Sequence, residues 1–185
     1  MNQALVIIDV QQELIDGNQT ESGVYQKEQL IQTINRVIHK AIMEEVPIVF
    51  VRDLDVAEGK GSGFEIHQEI TVPKDVTIFD KYATNCFHGT GLLDHLQEQK
   101  TEHIVIMGCK TQFCIDSAVR TATTCRLDVT LVGDGHSTTD NDVLLAEQII
   151  NHHNRTLHGH DNVEHFSLVR SSDEDLFQPT HYRYR

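Results

Sequence analysis

Positive charge is scarce in this sequence. The 185 residues carry 15 Lys and Arg against 28 Asp and Glu, a formal net charge of −13. No basic stripe runs along any predicted helix, which argues against nucleic acid or an anionic membrane as a partner. Cysteine is scarce too. Cys86, Cys109, Cys114 and Cys125 form no CxxC pair and are too few for a disulfide scaffold, so reduced thiols in a cytoplasmic protein are expected. The N-terminal MNQALVIIDV lacks the basic region of a signal peptide, and no apolar run approaches the length of a bilayer span. The 12 histidines include no HExxH, and the adjacent His152 and His153 point to different sides of a helix, so no metal is expected. What is present is ordinary for a globular chain, 39% hydrophobic and 23% charged, with a length that suits one domain over 1–185.

Apolar runs and helical periodicities alternate along the chain. Ala4–Val10, Ile48–Val51, Val76–Phe79, His103–Met107, Val129–Val132 and His165–Val169 read as strands. Tyr25–Glu45, Leu92–Gln99, Gln112–Cys125 and Asp142–Leu157 read as helices. Pro47 ends the first, Thr90 caps the second, Thr111 the third, and Thr139 or Asp140 the fourth. The fourth would place Val143, Ala146, Ile149 and Ile150 on one apolar face. Gln11–Gly23 reads as a loop over the sheet end, and Arg52–Asp75 as a long excursion of the kind that forms lids or arms. Ser171–Arg185 is polar and reads as disordered, docked on the body, or docked on a second subunit. The alternation predicts an α/β fold with a mostly parallel six-stranded sheet and helices on both faces.

In such sheets reactive residues gather beyond the carboxyl ends of the strands. Asp9, Lys81 and Cys114 each fall at or just past the end of a different predicted strand. A carboxylate at the end of the buried run ALVIIDV is costly unless it has a partner or a task. Cys114 lies in the first turn of the helix that follows the strand HIVIM, where free N–H groups and the helix dipole favour a thiolate. A thiolate needs a base to receive its proton and a positive field to stay ionised. Asp9 supplies the first and Lys81 the second, and the same carboxylate can later activate water.

The ordered elements LVIIDVQ, DKYATNCFHGTGL and GCKTQFCIDSAVRTA resemble the isochorismatase-like cysteine hydrolases, which include nicotinamidases and N-carbamoylsarcosine amidase. The similarity spans Ala4 to about Val169. It implies a Rossmann-like three-layer α/β/α fold with strand order 3-2-1-4-5-6 and an Asp9-Lys81-Cys114 triad. It also implies a cis peptide between Cys109 and Lys110 that turns the N–H groups of Lys110 and Cys114 toward one point as an oxyanion hole. Gln11, Phe87 and Phe113 would line the substrate pocket, although Phe87 is as readily a core aromatic. The resemblance further implies a homo-oligomer, dimer or tetramer, that needs no cofactor and takes a small-molecule substrate.

The implied chemistry is attack by Cys114 on an amide-type or carbamoyl carbonyl, with a thioester that water releases. Two departures shape this expectation. Where nicotinamidases carry an Asp-x-His metal pair this chain reads RDLDVAEG, which argues against nicotinamide as the substrate. Lys110 stands where many relatives have a small residue, either to attract an anionic substrate or to point to solvent. Two other readings compete: vinyl-ether hydrolysis of an isochorismate-like ligand without a thioester, and a non-catalytic binding or scaffold protein. Retention of Cys114 favours the amidase branch.

Overall fold

The chain opens with β1 (Asn2–Ile8), a strand buried on both faces from Ala4 onward, which is why its sequence runs apolar without alternation. There follow α1 (Gln12–Asp16), α2 (Lys27–Met43), β2 (Ile48–Asp53), α3 (Gly61–Phe64), β3 (Thr77–Lys81), α4 (Leu92–Glu98) and β4 (Thr101–Cys109). After a π turn at Thr111–Ile115 come α5 (Asp116–Thr124), β5 (Asp128–Ser137), α6 (Ala146–Leu157), β6 (Asp161–Asn162) and β7 (His165–Arg170). The computed structural model describes residues 2–178 and 181–184. Its sheet runs β3-β2-β1-β4-β5-β7-β6. The six expected strands therefore stand in the expected order, with β7 as the sixth, all parallel. The two-residue β6 adds an antiparallel edge, too short to leave a periodic signal in the sequence.

Alternate residues of β1 feed two cores. Ala4, Val6 and Ile8 pack with Leu92, Leu96, Ile115, Ala118, Val119 and Ala122 on the α4–α5 face. Leu5 and Ile7 pack with Leu30, Ile34, Val37 and Ile38 on the α2 face. Ile42, in the last turn of α2, lies past this stripe and is exposed. Through residue 178 the tail docks on the body: Leu176 and Phe177 are buried in the α2-side core. Among the described residues no helix is long and apolar enough to cross a membrane.

Besides the π turn that precedes α5, two helix starts differ from expectation. The fourth begins at Ala146, not Asp142, because Asn141 Oδ1 accepts the N–H groups of Val143 (2.9 Å) and Leu144 (2.8 Å) in a turn of its own. Val143 is consequently 84% exposed rather than on the apolar face. Asp140 still serves the helix, taking the Ala146 N–H at 2.7 Å. In the second, Gly91 is the cap residue and Thr90 Oγ1 receives the Leu92 N–H at 3.3 Å.

Gly108 lets β4 lie against the end of β1. Its φ is +126°, and a Cβ there would meet the backbone of Ile8, whose nitrogen would be 2.8 Å away. Gly108→Ala is therefore expected to cost about 3 kcal/mol or more, combining a disallowed φ with a backbone clash. Thermal unfolding should show a drop of roughly 6–12 °C. An unchanged midpoint would mean that the β1–β4 contact is not fixed by this residue.

Candidate active site

Register brings the strand ends level. Ile8 pairs with Val51 on one side and Gly108 on the other, and Asp53 pairs with Lys81 across β2 and β3. Asp9 leaves β1 in the left-handed region (φ 53°), which Asp tolerates better than most residues. Its N–H donates to Val51 O at 2.8 Å, and its carboxylate is fully buried. The Lys81 side chain is buried as well. Its Nζ lies 3.0 Å from Asp9 Oδ2, forms an ion pair with Asp53 Oδ2, and reaches Cys114 Sγ at 3.4 Å. Asp9, Asp53 and Cys114 each present an atom within 4.8 Å of the others. The three residues expected to converge do so, and Asp53 joins them.

The Asp9 carboxylate thus has the Lys81 ammonium and the Cys114 thiol as its side-chain partners. Asp9, Asp53 and Cys114 would make a Cys/Asp/Asp set for a cation, but the Lys81 ammonium already sits within contact of all three.

Asp53 was not among the expected site residues, although its place at the end of β2 follows the same rule as Asp9 and Lys81. Gln11 fixes it. The Gln11 amide donates to Asp53 O at 3.0 Å and accepts the Asp53 N–H at 2.7 Å. Gln11 is fully buried in this task and does not line the cavity, contrary to expectation.

Cys114 does not sit in the first turn of an ordinary α-helix capped by Thr111. The peptide bond between Cys109 and Lys110 is cis. The Lys110 carbonyl accepts the N–H groups of Phe113 (3.1 Å) and Ile115 (3.3 Å), the latter an i to i+5 bond. Thr111 is inside this π turn. Asn154 Oδ1 accepts from His136 Nε2 at 2.8 Å, which leaves His136 Nδ1 to accept the Thr111 hydroxyl at 2.9 Å. Burial lowers His136 to about 4, so it stays neutral and the arrangement holds at ordinary pH. The nucleophile turn is thus pinned from beneath by a buried neutral network.

Charge in the site is distributed differently from the sequence expectation of a thiolate. Burial, and then the neighbouring Asp9 carboxylate, push the Cys114 thiol up to about 12 against the pull of Lys81. Burial also raises Asp9 to about 6, more than Lys81 lowers it. Burial opposes the charge on Lys81, but Asp9, Cys114 and Asp53 together hold its pKa above the ordinary lysine value. Near neutral pH the resting site therefore holds a thiol, a carboxylate and an ammonium. The other buried thiols, Cys86 and Cys109, are pushed further up by burial, which suits small hydrophobes.

The cavity over Cys114 measures about 380 Å³ and is lined by Glu13, Asp53, Asp55, Lys110 and Phe113 among others. Phe113, 54% exposed, forms part of its wall as expected. Phe87 does not. It packs against the α4–α5 core, its N–H held by Asn85 Oδ1 at 3.0 Å, so its core reading applies. Lys110 neither meets solvent freely nor stands open to an anion, because its Nζ lies 3.4 Å from Glu21 Oε2. A larger depression of about 490 Å³ near Arg36, Asp134 and Asn154 contains no cysteine.

Residues 3–149 match the profile described as "Isochorismatase domain". The chain belongs to the isochorismatase family. This isochorismatase-family hydrolase is 25% identical over 130 residues to "Uncharacterized isochorismatase family protein YddQ" of Bacillus subtilis, covering 66% of this chain and 70% of that protein. A crystal structure of an isochorismatase family protein superposes with a TM-score of 0.82 at 27% identity over 92% of this chain and 98% of the other. N-carbamoylsarcosine amidase from Thermoplasma acidophilum gives a TM-score of 0.74 at 20% identity, covering 95% and 99% of the two chains. A cysteine hydrolase from Pseudomonas syringae pv. phaseolicola gives 0.79 at 18%, covering 93% and 89%. At those last two identities the likeness is one of fold.

Proposed function

We propose that this family member hydrolyses a small C–N amide or carbamoyl-type substrate through a thioester on Cys114. The observation that carries the reading is the meeting of Asp9 and Cys114 on one cavity wall with Lys81 behind them, its Nζ at 3.0 Å from the carboxylate and 3.4 Å from the sulfur. When the substrate carbonyl reaches Cys114, the thiol proton passes to Asp9. That transfer removes the carboxylate charge that opposes a thiolate and leaves the sulfur beside Lys81. Sulfur then bonds to the carbonyl carbon. The N–H groups of Lys110 and Cys114 receive the developing oxyanion. Asp9 returns its proton to the departing nitrogen as the C–N bond breaks. Ionised again, it takes a proton from water, which cleaves the thioester and restores the thiol. The names of a carbamoylsarcosine amidase and a cysteine hydrolase among proteins of the same fold are consistent with this chemistry.

The thioester separates this reading from vinyl-ether hydrolysis. With a panel of small carboxamides and carbamoyl compounds plus hydroxylamine, turnover should divert part of the acid product into hydroxamate. An acid-quenched sample should carry the acyl mass on Cys114. Turnover that yields acid alone, with no adduct at any substrate concentration, would refute the covalent route.

A further inference from the structure

We infer that the site selects a substrate with a positive charge on the end away from the scissile bond, and that Glu13 and Asp55 recognise that charge. The inference rests on the hydrolase reading for the reacting end only. The cavity wall carries five carboxylates, Asp9, Glu13, Glu21, Asp53 and Asp55, against one cationic side chain, Lys110. Lys81, behind the wall, compensates Asp9 and Asp53. Lys110 compensates Glu21. Glu13 and Asp55 remain: among the described residues no Lys, Arg or His lies in ion-pair range of either.

Glu13 is held in place nonetheless. Its Oε1 accepts the neutral Asn18 amide at 2.9 Å, and its Oε2 lies where only the missing side chain of Gly63 leaves room, 2.8 Å from the point a Cβ would occupy. Asp55 is set by its backbone, whose N–H donates to Asp53 Oδ1 at 2.9 Å. Two carboxylates on one cavity wall without a cation, Glu13 fixed and Asp55 exposed, are a complement awaiting one.

A second observation points the same way. The 54% exposed ring of Phe113 lines the same cavity and offers a face that attracts an ammonium or its alkyl shell. An anionic substrate would meet Glu13 and Asp55 uncompensated, with Lys110 already engaged.

The test does not require a known substrate. The whole protein is treated with methanethiosulfonates bearing either a trimethylammonium or a sulfonate group, and labelling of the Cys114 peptide is timed by mass spectrometry. The Cys114 sulfur attacks the sulfenyl sulfur, a disulfide forms and methanesulfinate leaves, so no amide need be turned over. Relative to a free thiol, the cationic reagent should label at least about tenfold faster than the anionic one. The ratio should fall toward one in Glu13→Gln/Asp55→Asn, and in the unaltered protein at about 1 M salt, where screening acts over roughly 3 Å. Equal rates, or a ratio that survives both changes, would overturn the inference. In parallel, kcat/KM is compared for ω-amino amides, alkyl amides and monoamides of diacids. A charge preference in labelling with no amide turned over would sink the hydrolase reading alone; amide turnover indifferent to charge would sink this inference alone.

Discussion

Replacing Cys114 by alanine is expected to lower amide turnover by about 10³-fold or more, the largest effect of any single change in this chain. The sulfur is the group within reach of both the Lys81 ammonium and the Asp9 carboxylate. Without it the carboxylate could only direct water at an unactivated carbonyl. Cys114→Ser should be nearly as damaging. A hydroxyl is harder to deprotonate than a thiol, and Asp9 at about 6 is a weak base for it. The fold should tolerate both changes, since the side chain is small and its neighbours Ile115 and Ala118 are held by the wider α4–α5 core. The measurement is ammonia release from the amide panel, with unfolding midpoints taken alongside. Alanine-variant turnover within tenfold of the parent would remove the nucleophile from the mechanism.

Much of this arrangement is legible in the sequence because a parallel sheet advertises itself. LVII, IVFV and IVIM lie in strands buried on both faces, so each appears as an unbroken apolar run. Once the strands are placed, the rule about their carboxyl ends selects Asp9, Lys81 and Cys114. The π turn leaves no such mark. Ile115, Ala118, Val119 and Ala122 keep helical spacing whether the first turn is α or π, so the sequence suggests an ordinary N-terminus with Thr111 as its cap. The protonation state is hidden for a related reason. Local sequence shows a cysteine near a helix start, whereas the charge beside it comes from Asp9, 105 positions away in the chain. Gln11 illustrates a third case. A glutamine two residues past Asp9 looks available to substrate, but only the β2 register reveals that its amide is spent on both backbone groups of Asp53.

Asp9→Asn should separate activity from stability. The base is competent when ionised, so kcat/KM in the unaltered protein should rise with pH through a midpoint near 6, the value to which burial raises this carboxyl. The asparagine variant should lose roughly 10²–10⁴-fold and that limb of the profile with it. Stability should move in the opposite direction. Asp9 is raised in the folded state from 3.8, so the folded protein tolerates the neutral carboxyl and is destabilised by the charged one. Below the unfolded value both states are protonated and nothing is lost. As pH rises through about 6 the ionised group costs the folded state about 3 kcal/mol, since every tenfold change in a protonation constant is worth roughly 1.4 kcal/mol. Asparagine mimics the neutral form, and Lys81 keeps Asp53 as a partner. Asp9→Asn should therefore unfold at a higher temperature than the parent at pH 8, with the advantage shrinking toward zero near pH 4. A variant markedly less stable than the parent at pH 8 would mean that the Asp9–Lys81 attraction outweighs the cost of burying the carboxylate, and that this site is not maintained at the expense of stability.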